Sequence, residues 1–105
     1  MSKQGIVEEL FSLEGDVAVV TGGTGVLPSA MAASLVRAGA RVAIWGGGTG
    51  HPVDEAADRL MAETKAEKGA VIGVTVDTAH EDQVVAALEE TEERLGMPNI
   101  LVNGE

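Results

Sequence analysis

The sequence predicts an α/β protein built as a doubly wound parallel sheet, and three observations lead there. Apolar, β-branched runs alternate with helix-period segments in the order βαβαβαβ along 105 residues. None of these runs alternates strictly between apolar and polar residues, which suits strands buried on both faces of a parallel sheet. The first run also passes through a glycine-rich turn straight into a helical pattern, Val17-Ala-Val-Val-Thr-Gly-Gly-Thr-Gly-Val-Leu-Pro-Ser-Ala-Met31. That is the Rossmann-like layout, in which a buried strand leads to a turn without obstructing side chains and a helix aims backbone N–H groups at phosphate.

The elements follow in order. The first strand is placed at 16–21, and the turn Gly22-Gly23-Thr24-Gly25 leads to a helix opened by Val26 and Leu27. In that helix Leu27, Ala30, Met31, Ser34 and Leu35 share the predicted core face, and Gly39 stands past its end as a C-cap. A second strand at 41–45 comes at βαβ distance and runs into the irregular stretch Gly46-Gly-Gly-Thr-Gly-His-Pro52. The second helix gathers Val53, Ala56, Ala57, Leu60, Met61 and Thr64 on one face, with Gly69 as its expected cap. The third strand is placed at 70–76. The third helix carries Val84, Val85, Leu88, Thr91 and Leu95 as its stripe and Gly96 as its cap, and the last strand is placed at 99–103.

Composition narrows the function classes. With 45% hydrophobic residues and 14 glycines the chain is sized for one small domain over 1–105, since single domains commonly run about 100–150 residues. No cysteine is present, which excludes disulfides and thiolate metal sites. Met1-Ser2-Lys3-Gln4-Gly5-Ile6-Val7-Glu8-Glu9 is too polar for a signal peptide and no long apolar run occurs, so a cytoplasmic protein without membrane contact is expected. A formal net charge of −10 argues against nucleic acid, whose binding draws on cations to neutralise phosphates. The acidity reads as a solvated surface, with adaptation to salt as the alternative. Glu89-Glu90-Thr91-Glu92-Glu93 fits a solvated helical face. His80, Glu81 and Asp82 make a poor metal site because adjacent helical residues point apart, and no metal is expected.

Several segments together resemble one family. Phe11-Ser-Leu-Glu-Gly-Asp16 leads into the first strand, and Thr21, Gly22, Gly23, Gly25, Val26 and Leu27 form the turn. Ala38-Gly-Ala-Arg-Val42, Asp77 after the third strand, and Asn99-Ile-Leu-Val-Asn-Gly104 follow. The chain is similar over nearly its whole length to the first part of the short-chain dehydrogenase/reductase family. That family's opening turn reads Thr-Gly-x-x-x-Gly-x-Gly, and its fourth strand ends in Asn-Asn-Ala-Gly or Asn-Gly-Ala-Gly. The likeness looks closest to sugar-acid oxidoreductase members of the D-mannonate oxidoreductase type. The resemblance implies four strands in the order 3-2-1-4 with three helices, NAD or NADP as cofactor, and hydride transfer involving an alcohol or ketone such as a sugar acid. It places cofactor contacts at Thr21, Gly22, Gly23, Thr24, Gly25, Val26 and Leu27, at Gly46, at Asp77 and Thr78, and at Asn103 and Gly104.

The departures from the family pattern carry as much meaning. Its chemistry rests on a Tyr-x-x-x-Lys pair and a serine after the fourth strand, whereas this sequence contains no tyrosine. No catalytic residue is therefore assigned, and the chain reads as truncated before that pair. At the end of the second strand an acidic residue would take the ribose hydroxyls, or an arginine the 2′-phosphate. Gly46, Gly47 and Gly48 stand there instead, so NAD and NADP stay equally open. Thr49 and His51 have either phosphate or solvent as their surroundings. Pro28 replaces the family's last turn glycine, which removes a donor and is expected to add ring atoms near the pyrophosphate. Asp77 reads either as an adenine contact or as part of a helix N-cap system with Thr78 and Glu81.

Three readings follow: the nucleotide-binding portion of an oxidoreductase, a non-enzymatic truncated or decayed relative that binds nucleotide or self-associates, and a fragment of a longer product. In the order 3-2-1-4 two helices cover one sheet face and the third alone covers the other. The uncharged edge Asn99-Ile-Leu-Val-Asn103 then predicts a homo-oligomer formed through that strand and the under-covered face.

Overall fold

The computed structural model describes residues 12–22, 25–47 and 52–104. Its elements are β1 (Val17–Thr21), α1 (Val26–Arg37), β2 (Arg41–Gly46), α2 (Pro52–Thr64), β3 (Val71–Thr75), α3 (Glu81–Arg94) and β4 (Ile100–Asn103). Short runs of valine, isoleucine and alanine form β1, β2 and β3 because these side chains fill both sides of a pleated, doubly covered layer, whereas β4 at the edge is only half-covered, against the expectation of strands buried on both faces. The sheet is parallel with order β3-β2-β1-β4, the expected topology, and the strand ends fall within one residue of their sequence positions. Across β1, Ala18 pairs with both Val42 and Ile100, and Thr21 with both Trp45 and Asn103. Asn99 fastens the start of this pairing. Its Oδ1 accepts the Val17 N–H at 2.9 Å while its Nδ2 donates to Asp16 Oδ1 at 2.8 Å.

Side-chain alternation sends the strands' residues to two cores. On one face Ala18, Val20, Val42, Ile44 and Val71 meet Ala32, Ala33 and Val36 of α1 and Val53, Ala57 and Leu60 of α2. On the other, Val17, Val19, Ala43, Trp45, Ile72, Val74 and Val76 meet Ala87 of α3 and Leu95 just after it. The buried Trp45 indole donates to Thr91 Oγ1 at 3.1 Å, and that hydroxyl donates to the Ala87 carbonyl at 2.8 Å. The two polar groups on this face therefore satisfy each other. α3 leaves the strip beside β4 open, where Val19, Trp45, Val84, Leu88, Pro98, Ile100 and Leu101 line an apolar groove of about 440 Å³. Leu101 is 70% exposed at the sheet edge.

Two helix faces differ from expectation. In α1 the stripe of Leu27, Ala30, Met31, Ser34 and Leu35 points largely away from the sheet, with Leu27 70% and Met31 42% exposed, while Pro28, Ala32, Ala33 and Val36 are buried. The helix is apolar on nearly every side, so period cannot choose its face. Size does: alanines let the backbone settle close on the strands. In α3, Thr91 and Leu95 are buried as expected, but Val85 and Leu88 remain 48% and 42% exposed and Ala87 takes the inner position. The α2 stripe is buried or half-buried as expected.

Helix ends correct one further assignment. Gly39 closes α1 at φ 107°, its N–H on the Val36 carbonyl at 3.0 Å and the Ala40 N–H on Leu35 at 3.1 Å, a Schellman arrangement. Gly96 closes α3 through the Glu92 carbonyl at 3.0 Å. Gly69 does not cap α2. Lys65 at φ 56° takes that place, with the Ala66 N–H on Met61, and Gly69 lies in a separate turn closed by the Ala70 N–H on Glu67. Among the described residues no helix is long and apolar enough to cross a membrane.

Candidate functional site

In this sheet the chain moves outward from β1 through β2 to β3 and then crosses to β4 on the other side of β1. The crevice at such a switch point, beyond the carboxyl ends of the strands, is where open α/β sheets take ligands. Thr21, Gly22, Gly25, Val26, Leu27, Asn103 and Gly104 all lie at the ends of β1 and β4 or in the first turn of α1. Gly46 ends β2, and Asp77 and Thr78 follow β3. Gly23 and Thr24, with Gly48, Thr49 and His51, lie outside the described residues.

Thr21 ties the two central strands together. Its hydroxyl donates to Asn103 Oδ1 at 3.0 Å and accepts the Gly104 N–H at 3.2 Å, while its carbonyl lies 3.1 Å from the same N–H. The residue following it, Gly22, turns the chain at φ 66°. The left-handed region is where a glycine costs least. Its N–H donates to the Trp45 carbonyl at 3.2 Å and its own carbonyl accepts the Gly25 N–H at 3.0 Å, which closes the turn onto the helix.

The start of α1 differs from the other helix starts. Its N-cap is Gly25, with no side-chain cap and no acidic residue in the first turn. α2 carries Asp54 and Glu55 in its first turn and α3 carries Glu81 and Asp82. The positive end of α1 is thus not met by a carboxylate of its own first turn. The Val26 and Leu27 amides have no acceptor within the helix, and the first helical bond runs from Ser29 N–H to Gly25 at 3.0 Å. Pro28 supplies no N–H. Its ring is buried, and a Cβ on Gly104 would overlap it.

The flanking candidates have their own local roles. Gly46 is buried, and a Cβ on it would lie 3.0 Å from a Val53 methyl. Its carbonyl holds the Val76 N–H at 2.9 Å. Asp77 Oδ1 accepts the Ala79 N–H at 3.0 Å and Oδ2 lies 3.4 Å from His80 Nε2. The N-cap of α3 is His80 without a side-chain cap bond, and Gln83 reaches back to accept the Asp77 N–H at 2.8 Å. Asp77 and Gln83 thus bond within the turn that opens α3. Among the described residues no group of three His, Asp or Glu is placed to hold a metal ion. Sequence reasoning missed the Pro28–Gly104 contact and the Thr21–Asn103 bond, because each joins positions brought together only by the parallel pairing of β1 and β4.

Residues 16–104 match the family model for short chain dehydrogenase. A 2-dehydro-3-deoxy-D-gluconate 5-dehydrogenase of Formosa agariphila is 36% identical over 95 residues, covering 90% of this chain and 34% of that protein. L-Sorbose reductase from Gluconobacter frateurii, solved in complex with NADPH and L-sorbose, is similar with a TM-score of 0.78 at 28% identity, over 90% of this chain and 35% of that one. 2-Keto-3-deoxy-D-gluconate dehydrogenase from Streptococcus agalactiae has a TM-score of 0.82 over 97% of this chain and 36% of that one; at 24% identity the likeness concerns the fold alone. The chain spans about a third of the length of these relatives.

Proposed function

Because the chain belongs to the short-chain dehydrogenase/reductase family, we propose that it forms the nicotinamide-dinucleotide-binding portion of an oxidoreductase acting on an alcohol or ketone, with sugar acids as the substrate class. The observation that carries this reading is the start of α1, a helix N-terminus without a side-chain cap or a first-turn acid beside a glycine turn at the switch point. The residues fit a pyrophosphate: two first-turn amides point out of the helix, and the turn has glycine at Gly22 and Gly25. Bound NAD or NADP would supply the hydride acceptor or donor. This chain's residues would hold the phosphates through Val26 and Leu27 and keep the floor level through Thr21, Asn103 and Gly104. Asp77 and Thr78 would flank the adenine. Gly46 leaves the ribose selector position without a carboxylate or guanidinium, so either cofactor is accommodated.

The substrate class is supported by a 2-dehydro-3-deoxy-D-gluconate 5-dehydrogenase and an L-sorbose reductase among the relatives. Without tyrosine, the 105 residues bind without turning over. Titration with ADP, NAD and NADP is expected to shift the amide resonances of Gly22, Val26 and Leu27. The expected dissociation constant is about 100 µM, roughly −5.5 kcal/mol, because only two first-turn donors are offered. Unmoved resonances at millimolar nucleotide would refute the reading.

Self-association belongs to the same proposal. The β4 edge carries no charge, Leu101 is 70% exposed, and Leu88 and Met97 add 42% and 67% exposed apolar side chains, the kind of surface and edge a second copy would cover. Sedimentation at micromolar concentration is expected to give a dimer or larger species, and Leu101→Lys a monomer. A monomeric native chain, with rapid hydrogen exchange along Ile100 to Val102, would remove self-association from the proposal.

A further inference from the structure

Pro28 stands where the glycine fingerprint allows a helix to pack closely on its strands, yet its ring is buried and lies against the end of β4 at Gly104. The room comes from the facing strand. A Cβ on Gly104 would overlap the Pro28 ring, and it would lie 2.9 Å from Pro28 Cβ and 2.7 Å from the Thr21 carbonyl oxygen. Gly104 is tied to β1, its N–H held by the Thr21 carbonyl at 3.1 Å and hydroxyl at 3.2 Å. Thr21 is followed by Gly22, Gly22 is bonded to Gly25, and a Cβ on Gly25 would sit 3.4 Å from Pro28 Cδ. The contacts close on themselves through the end of β1, the glycine turn, the first turn of α1 and the end of β4.

We propose that Gly104 is a positioning residue: by seating the Pro28 ring it sets the height of the α1 N-terminus over β1 and β4, and with it the placement of the Val26 and Leu27 amides that receive the pyrophosphate. This inference rests on the dinucleotide reading above and extends it to a pair of residues that acts through the helix. The pair has room for one side chain. A ring against a bare α-carbon fills it; a ring against a methyl lifts the helix; a methyl on the strand with glycine on the helix escapes the ring and keeps only the 2.7 Å contact with the Thr21 carbonyl oxygen, so it costs less there. A merely structural glycine at 104 would instead be insensitive, in binding, to what stands at 28.

The test is a cycle of Gly104→Ala, Pro28→Gly and the double variant, titrated calorimetrically with ADP and NAD at a temperature where circular dichroism and Trp45 fluorescence report folded protein. Gly104→Ala is expected to bind at least tenfold more weakly than the native chain. Pro28→Gly, which regains a first-turn N–H, should bind as tightly or more tightly, and the methyl at 104 should cost at least threefold less on the Pro28→Gly background than on the native one, the remainder coming from the Thr21 carbonyl contact. Native-like affinity in folded Gly104→Ala overturns the proposal, as does an equal cost of the methyl on both backgrounds. If Gly104→Ala does not fold, the double variant decides: a double variant that folds and binds nucleotide supports the coupling of 104 to 28, and one that also fails to fold overturns it. Absence of binding by the native chain overturns the dinucleotide reading itself and the positioning role with it. A loss of binding confined to Gly104→Ala leaves both in place.

Discussion

Incubated with NAD or NADP and a panel of sugar acids and secondary alcohols, the purified 105-residue chain is expected to form no reduced cofactor. The reason is chemical. Removing hydride from an alcohol carbon requires a base for the hydroxyl proton, and a positioned general base contributes about 10²–10⁴-fold. The resemblance assigns that task to a tyrosine whose pKa a lysine lowers, and no tyrosine exists in this sequence. Thr21 cannot take its place: its hydroxyl is committed to Asn103 and Gly104 at 3.0 and 3.2 Å. His80, the one histidine among the described residues, sits at the start of α3 beside Asp77, beyond β3 and two strands from the glycine turn. Cofactor reduction above the protein-free rate, rising with protein concentration, would show that another group serves as the base.

What was legible in the sequence follows from the range of the interactions involved. The strands could be read because apolar runs are punctuated by glycines and lack strict alternation, while their order 3-2-1-4 came with the resemblance. The glycine turn was legible because its chemistry is local. The face of α1 was not, since Leu27, Met31, Ala32 and Ala33 are all apolar and only packing distance to the sheet separates them. Gly69 misled for a related reason: a glycine near a helix end is the usual cap, but Lys65 accepts the left-handed conformation four residues earlier. At the candidate site, the bond between Thr21 and Asn103, and that between Val17 and Asn99, each span 82 residues. Such pairs are created by the register of β1 with β4. Asn103 was placed near the site by resemblance, while its partner had to come from the fold.

Gly73 presents the largest expected change in stability, and nothing in its sequence neighbourhood marks it. It lies within β3, and a Cβ on it would stand 2.5 Å from the Val53 carbonyl oxygen, 2.6 Å from the Val53 carbonyl carbon and 2.8 Å from the Asp54 nitrogen. All three are backbone atoms of the first turn of α2, so no side-chain rotation relieves the contact. The helix start has to rise. Val53 is fully buried and packs toward Gly46, so raising it uncovers the core on that face and disturbs the end of β2 where the candidate ribose position lies. Overpacking a core commonly costs about 1–3 kcal/mol, and a clash with backbone belongs at the upper end. The lower entropy of an unfolded chain bearing alanine returns only about 0.5–1 kcal/mol. Gly73→Ala is therefore expected to lose about 2 kcal/mol, a large share of the roughly 5–15 kcal/mol that holds a typical domain together. Urea unfolding followed by the fluorescence of Trp45, the sole tryptophan, measures it. Gly47→Ala is the control, because among the described residues a Cβ there meets only the Val76 carbonyl oxygen at an ordinary 3.5 Å, and it should stay within about 0.5 kcal/mol of the native chain. Equal midpoints for Gly73→Ala and Gly47→Ala would mean that α2 can lift off β3 at no cost, and the tight seat of its first turn on the sheet would then contribute nothing to holding the end of β2 in place.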